Sequence, residues 1–129
     1  TDGNWAPVHA ASMSSKADPD VYILGDASSQ GDMPKSGFSA NSQAKVCANA
    51  VRGDLTGSKV FPAKFSNTCW SLIGTNDGVK VGATYKATAE KIAKVDGFIS
   101  KTGESADIRK ATYEESEGWY TGITTDMFS

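Results

Sequence analysis

The sequence is poor in the residues that build metal sites and disulfide scaffolds. Its 129 residues include two cysteines, Cys47 and Cys69, and one histidine, His9. Two cysteines are too few for a disulfide-stapled fold, and with a single histidine they fall short of the roughly four ligands that structural zinc takes. We therefore expect no bound metal, and we expect His9, in a polar and turn-rich segment, to be an ordinary surface residue.

An excess of charge of one sign and long apolar runs are also missing. Thirteen basic and fifteen acidic residues give a net charge of −2, and no basic stretch stands out, which argues against a nucleic acid partner. The longest apolar runs, such as residues 21–24, are far shorter than the roughly 20 residues of a membrane-spanning helix. No charged-then-apolar leader follows Thr1, and a start without Met fits a processed chain or an excised fragment.

Several catalytic and phosphate-binding motifs are absent as well. Gly-x-Ser-x-Gly does not occur, which excludes a hydrolase nucleophile elbow. Gly-x-Gly-x-x-Gly does not occur either, so the chain lacks the turn that binds a dinucleotide pyrophosphate. Gly57, Ser58 and Lys59 follow a predicted helix and do not have the spacing of a phosphate loop.

The first pattern that could carry chemistry begins with the apolar run at residues 21–24. A continuous run of this kind predicts a strand buried on both faces. Gly25 and Asp26 would then lie at the carboxyl end of the strand, where open α/β sheets bind ligands. Gly25 would let the backbone approach a ligand closely, and Asp26 could accept hydrogen bonds from hydroxyl groups. A plain strand and turn is the alternative that this local pattern leaves open.

A helix is predicted from residue 37 to about residue 52. Ser36 is a good N-cap, and Gly53 suits the end of the helix. The helix start offers N–H groups to an electron-rich ligand atom. Residues at helical spacing predict one buried stripe, which consists of Ala40, Ala44, Cys47, Val51 and Leu55.

Three strands and a second helix are predicted after residue 60. Residues 67–73, 79–88 and 91–100 read as strands of an antiparallel meander with a turn at 76–78. The Ala, Lys and Glu content of residues 83–95 leaves a helix open there as the alternative. Residues 105–116 predict a helix capped by Ser105, followed by an aromatic terminus that we expect to dock on something. Cys69, between Thr68 and Trp70, could equally be a buried and inert thiol.

Taken together, these segments resemble one family, the flavoprotein subunit of flavocytochrome c sulfide dehydrogenase. The resemblance covers nearly the whole chain. It is most specific at Pro-Lys-Ser-Gly (34–37), Asn-Thr-Cys (67–69) and the Trp-Tyr of the terminus (119–120), with further matches at residues 4–8, 22–27, 33–45, 65–73 and 119–128.

The resemblance implies a role for each matching residue. Asp26, after Gly25, matches the acidic residue that holds the ribityl chain of FAD, and Cys69 matches one half of a redox-active disulfide beside the flavin. Trp119 matches an aromatic residue near the flavin. The helix start that faces the pyrimidine edge is matched by Pro34, Lys35, Ser36, Gly37 and Phe38.

The implied fold is α+β. Residues 1–57 would be the end of an FAD-binding α/β domain (strand, loop, helix). Residues 58–129 would be a small C-terminal domain with a three-stranded antiparallel sheet and a C-terminal helix. The N-terminal dinucleotide-binding part and the second redox cysteine would lie outside this chain, so we expect the chain alone to bind little FAD and to be inactive.

The implied activity of the complete subunit is oxidation of sulfide in the bacterial periplasm, with electrons passing through FAD to a c-type cytochrome. Two alternatives remain open at this stage. One is a non-catalytic domain that docks on a cytochrome or on the separate N-terminal half. The other is a pyridine-nucleotide–disulfide oxidoreductase with NADH as donor, for which the sequence contains no NAD site.

Overall fold

The computed structural model describes residues 3–129, which form two compact units. The first unit contains the described residues up to Asn67 together with Ala83–Gly97, and the second contains Thr68–Gly82 and Phe98–Ser129. The small α+β architecture with a three-stranded antiparallel sheet and a C-terminal helix, predicted from the sequence, is confirmed.

The N-terminal segment folds without the long buried strand that the sequence predicts. Its only paired strands, among the described residues, are β1 (Ala6–Pro7) and β2 (Ser28–Ser29), which run parallel. The strand predicted at residues 21–24 is wrong. Tyr22 makes one isolated bridge to Ser14, and the Val21 side chain is exposed. Apolar residues alone do not make a strand, because the backbone also needs a neighbouring strand, and here, apart from a local turn, it makes only two hydrogen bonds among the described residues, to Met13 and Ser15.

The first long helix, α1 (Gly37–Thr56), begins where predicted. Ser36 is its N-cap, and the Ser36 hydroxyl accepts a hydrogen bond from the Ser39 N–H at 3.0 Å. The predicted end at Gly53 is wrong, because the helix runs on to Thr56 and is capped by Gly57 in the left-handed region (φ 69°). Gly53 instead allows close packing of Val60, because a Cβ at position 53 would collide with the Val60 side chain.

The buried stripe of α1 differs from the predicted one. Leu55 is 80% exposed, and of the predicted residues Cys47 alone is buried. The buried residues are Ser39, Gln43, Cys47 and Ala50. Gln43 can be buried because its side chain is satisfied: Oε1 accepts the Gly25 N–H at 2.7 Å, and Nε2 donates to Gln30 Oε1 at 3.0 Å. Apolar periodicity could not identify a stripe that is held by polar groups.

The predicted meander is present as β3 (Lys64–Gly74), β4 (Asp77–Ala87) and β5 (Ile92–Ile99), in that spatial order. The helical alternative for residues 83–95 is therefore excluded. The turn between β3 and β4 is one residue earlier than predicted, at residues 75–76. Asn76 takes the left-handed conformation (φ 57°), while Gly78 lies inside β4, where a Cβ would come 3.1 Å from the Tyr113 backbone.

The second helix, α2 (Ala106–Phe128), starts at the predicted cap but is much longer than predicted. The Ser105 hydroxyl accepts the Ile108 N–H at 3.4 Å. The aromatic terminus is part of this helix and not a separate tail. Within residues 3–129, no helix is both long and apolar enough to cross a membrane.

Candidate functional site

The first group of predicted site residues lies at a tight turn in the first unit. Gly25–Ala27 form one turn of 3-10 helix, in which Gly25 is buried with a φ of 69°. That backbone conformation favours glycine. Asp26 is exposed, and within residues 3–129 its carboxylate has no hydrogen-bond donor. The carboxylate can therefore accept hydrogen bonds from a ligand.

Lys35 braces this turn. Its Nζ donates to the backbone oxygen of Asp26 at 2.7 Å and to that of Ser28 at 3.1 Å. The same ammonium group lies 3.9 Å from the centroid of the Trp5 ring, a distance typical of a cation–π contact. Lys35 thus uses its charge to hold the protein's own backbone beside Asp26.

The start of α1 is fixed by a second small network. Ser36 Oγ and Ser39 Oγ both donate to Asn67 Oδ1, at 2.5 and 3.1 Å. Gly37 is exposed, and its N–H has no acceptor in the part of the chain that the structure describes. Pro34 is exposed and Phe38 is half-buried. The structure therefore brings the predicted residues 25, 26 and 34–38 together in one unit.

Cys69 lies on β3 in the second unit and lines a surface pocket of about 420 Å³. Cys69 is half-buried, and it is not joined to Cys47 in a disulfide. Three basic residues, Lys80, Lys101 and Arg109, line the same pocket. Cys69 is therefore not the fully buried thiol that the sequence left open.

Trp119 is held in place within the second unit. It is half-buried on α2, and its ring centroid lies 5.9 Å from that of Trp70, with a tilt of 34° between the rings. This separation is within the range of favourable aromatic pairs. The contact with Trp70, the neighbour of Cys69 on β3, fixes the position of the Trp119 ring. Its predicted role near a flavin stays a prediction.

The basic residues around Cys69 could not be found from the sequence. Lys80 is on β4, Lys101 follows β5 and Arg109 is on α2, so no local spacing connects them to Cys69. Asn67, by contrast, could have been recognised from the sequence, because it precedes Thr68 and Cys69 in the segment that carries the family resemblance.

The two cysteines are expected to differ in reactivity by about tenfold or more, because alkylation requires an accessible thiolate. Cys47 is buried, and burial raises the pKa of its thiol above the ordinary value. Its modification should therefore be slow at neutral pH and should keep rising to a higher pH than in the unfolded chain. Peptide mapping after timed iodoacetamide treatment measures both rates.

The same measurement in guanidinium chloride is the control, since unfolding should bring the two rates together. Equal rates in the folded chain, or a Cys47-to-Cys69 bridge under non-reducing conditions, would contradict the assignment.

Comparison with protein families connects these features to one group. The model of the family "Flavocytochrome c sulphide dehydrogenase, flavin-binding" matches residues 62–128, just over half of the chain. The chain therefore belongs to this family, and the resemblance read from the sequence is confirmed. The matched region contains the three-stranded sheet, α2, Cys69 and Trp119.

Membership of this family makes the chain part of a flavin-binding protein, and the family's name implies a cytochrome as its partner.

Proposed function

We propose that this chain supplies the thiol-bearing and flavin-facing part of an FAD-dependent sulfide dehydrogenase that transfers electrons to a c-type cytochrome. The observation that carries the proposal is the family match over a domain whose half-buried cysteine lines a basic pocket. Two domains are proposed, the end of the FAD-binding domain at residues 1–57 and the C-terminal domain at 58–129. The end of α1 at Thr56, followed by its Gly57 cap, falls at that boundary, whereas the two compact units divide the chain after Asn67 and assign Ala83–Gly97 to the first unit.

The residues of the first unit fit the polar groups of FAD by the chemistry of their donors and acceptors. The Asp26 carboxylate suits the hydroxyls of a ribityl chain, because it is exposed and accepts no hydrogen bond from the described residues. The Gly37 N–H at the start of α1 suits a carbonyl oxygen of the flavin ring, and the helix dipole favours negative charge there. When bound, FAD supplies a centre that accepts two electrons and releases them singly.

Cys69 is proposed to be one half of a redox-active disulfide. Its partner would be a cysteine outside these 129 residues, because Cys47 is buried within the first unit. Hydrosulfide would attack one sulfur of the disulfide with an electron pair; the S–S bond breaks, that cysteine carries a persulfide, and the other leaves as a thiolate. The disulfide itself is the oxidant in this step, so no further oxidant is needed.

The remaining assignments rest on the family resemblance. Trp119, held against Trp70, is proposed to lie near the flavin. The bacterial periplasm is proposed as the location, since an oxidising compartment lets a disulfide persist.

The competing proposal, a non-catalytic domain that docks on a cytochrome, draws support from the exposed end of α2. Tyr120 and Met127, seven residues apart and so on one helix face, are 65% and 56% exposed.

An absorption spectrum separates the two proposals. The chain is first assembled with the dinucleotide-binding part that the resemblance implies. If the assembled protein is a redox flavoprotein, its spectrum should show a flavin band at about 450 nm. Assembly without that band, in the presence of FAD, would favour the docking domain.

Changing Asp26 to alanine is expected to weaken FAD retention in that assembled protein by about tenfold, because a hydrogen-bonding partner of the ribityl hydroxyls is lost. Flavin occupancy after gel filtration measures the effect.

Asp20→Ala is the matched control. Asp20 is also an exposed carboxylate of the N-terminal segment, so its loss changes the charge equally. Unchanged FAD occupancy in Asp26→Ala would refute the assignment of this residue.

A further inference from the structure

The pocket beside Cys69 has a charge pattern that the proposed disulfide chemistry does not by itself require. Among the described residues that line it, three are basic and none is acidic. The other polar lining residues are hydroxyl-bearing, namely Ser71, Ser100 and Thr102. A concave site with cations and hydroxyl donors is suited to a small anion.

Two of the three basic side chains are each paired with a carboxylate. The guanidinium of Arg109 is paired with Asp77, and the Lys80 ammonium lies 2.5 Å from Glu115. Lys101 differs, because within residues 3–129 its ammonium group forms no ion pair. Lys101 is therefore the one lining cation without a carboxylate at ion-pair distance among the described residues.

The loop that carries Lys101 is ordered by its own hydrogen bonds. The Lys101 N–H donates to Glu104 Oε1 at 2.8 Å, and the Glu104 N–H donates to the Lys101 carbonyl at 3.4 Å. Gly103, with a φ of 81°, makes the turn between them. These bonds leave the Lys101 side chain available to the pocket.

We propose that Lys101 is a positioning residue that draws the anionic sulfur substrate, hydrosulfide, into the pocket beside Cys69. This inference rests on the proposed function, in which a sulfur anion attacks a disulfide of Cys69. The field of Lys101 raises the local concentration of the anion and takes no part in bond making. Its effect should therefore depend on the charge of the incoming reagent and not on the chemistry of the thiol.

The first experiment uses the reduced 129-residue chain and requires no flavin. Cys69 is alkylated with anionic iodoacetate and with neutral iodoacetamide, and the two rates are compared as a ratio. The Lys101→Gln variant lacks one positive charge. We expect its iodoacetate-to-iodoacetamide rate ratio to be about threefold lower than that of the unchanged chain, because solvent partly screens charges in a surface pocket. Lys101→Arg should restore the ratio, because it restores the charge.

Lys110→Gln is the matched control. Lys110 lies on α2 in the same unit but does not line the pocket, and it is paired with Glu114. The variant changes the net charge of the chain equally, and its ratio should stay that of the unchanged chain. High salt should lower the ratio of the unchanged chain, which tests the inference without any variant. A ratio that is insensitive to Lys101→Gln or to salt would overturn it.

The second experiment separates failure of this inference from failure of the proposed function. In the assembled flavoprotein, Lys101→Gln should raise KM for sulfide about threefold while kcat changes little, because the charge acts on the approach of the anion. If Cys69→Ser abolishes activity but Lys101→Gln leaves KM unchanged, the inference about Lys101 fails and the proposed function stands. If Cys69→Ser retains activity, the proposed function fails, whatever the alkylation ratios show.

Discussion

Replacement of Cys69 by serine is expected to abolish sulfide-dependent flavin reduction in the assembled flavoprotein while FAD stays bound. Serine has nearly the shape of cysteine but cannot form a disulfide or a persulfide. The residues proposed to hold FAD in the first unit, such as Asp26, are not altered by the change. We expect a loss of at least about a hundredfold in the rate of flavin bleaching by sulfide, since Cys47, the other cysteine of the chain, is buried and cannot replace the lost sulfur centre.

Two measurements make this result specific. The flavin absorbance after gel filtration reports retention of FAD, and stopped-flow bleaching by sulfide reports the redox step. Cys47→Ser is the control, because Cys47 is buried and is assigned no redox role. Normal transfer of electrons from sulfide to cytochrome in Cys69→Ser would refute the mechanism, regardless of the state of the fold.

Substitution of Gly31 by alanine is expected to give a large loss of stability, about 3 kcal/mol from a left-handed backbone and a steric collision together. Gly31 has a φ of 63°, and a Cβ there would collide with the Ile92 carbonyl oxygen and lie 2.9 Å from the Ile92 nitrogen. Backbone atoms of a sheet strand cannot move aside as a flexible side chain can. Denaturation of the 129-residue chain by urea measures the change.

The collision would also disturb the contacts of the next residue. The Asp32 N–H donates to the Ile92 carbonyl at 2.9 Å, and the Asp32 carboxylate accepts the Lys94 N–H at 3.0 Å. The side-chain hydrogen bond from Lys91, together with that N–H, holds the pKa of Asp32 below its ordinary value. Because the pKa is lowered in the folded state, this contribution to stability is present above the ordinary pKa and is lost as the pH falls.

Gly57→Ala separates the two causes. Gly57 also has a positive φ, of 69°, but nothing lies within 4 Å of a Cβ there. Its loss of stability should be that of the backbone conformation alone, about 1 kcal/mol. Equal losses at Gly31 and Gly57 would show that the contact with Ile92 does not constrain the fold.

Local sequence patterns predicted the helix starts and the strands that depend on residues close by in the sequence. Ser36 and Ser105 marked two helix starts, because an N-cap is satisfied by N–H groups only a few residues away. The strands β3, β4 and β5 were also recognised, since consecutive strands joined by short turns pair with their neighbours in the sequence. The helix ends were less well predicted. Gly53 looks like a stop, but it lies inside α1 because Val60 packs against it.

Long-range contacts decided the features that the sequence predicted wrongly or not at all. Residues 21–24 are apolar, but they form no strand because their pairing is limited to the single bridge between Tyr22 and Ser14. Gln43 is polar and was not part of the predicted apolar stripe of α1, yet Gln30 and Gly25 satisfy its amide and allow its burial. Both outcomes depend on contacts with other segments of the chain, about which a local periodicity contains no information.

Local sequence patterns and long-range contacts also contributed differently to the functional assignment. The sequence by itself determined the family, because the Gly-Asp (25–26), Pro-Lys-Ser-Gly (34–37) and Asn-Thr-Cys (67–69) segments follow one another in a recognisable order along the chain. Only the tertiary structure decided what surrounds Cys69. Lys101 and Arg109 come from a loop and a helix more than thirty residues beyond it, and of the two it is Arg109 that is paired with a carboxylate, that of Asp77. An electrostatic field depends on distances in space and on pairing, and neither quantity is encoded in the local spacing of residues.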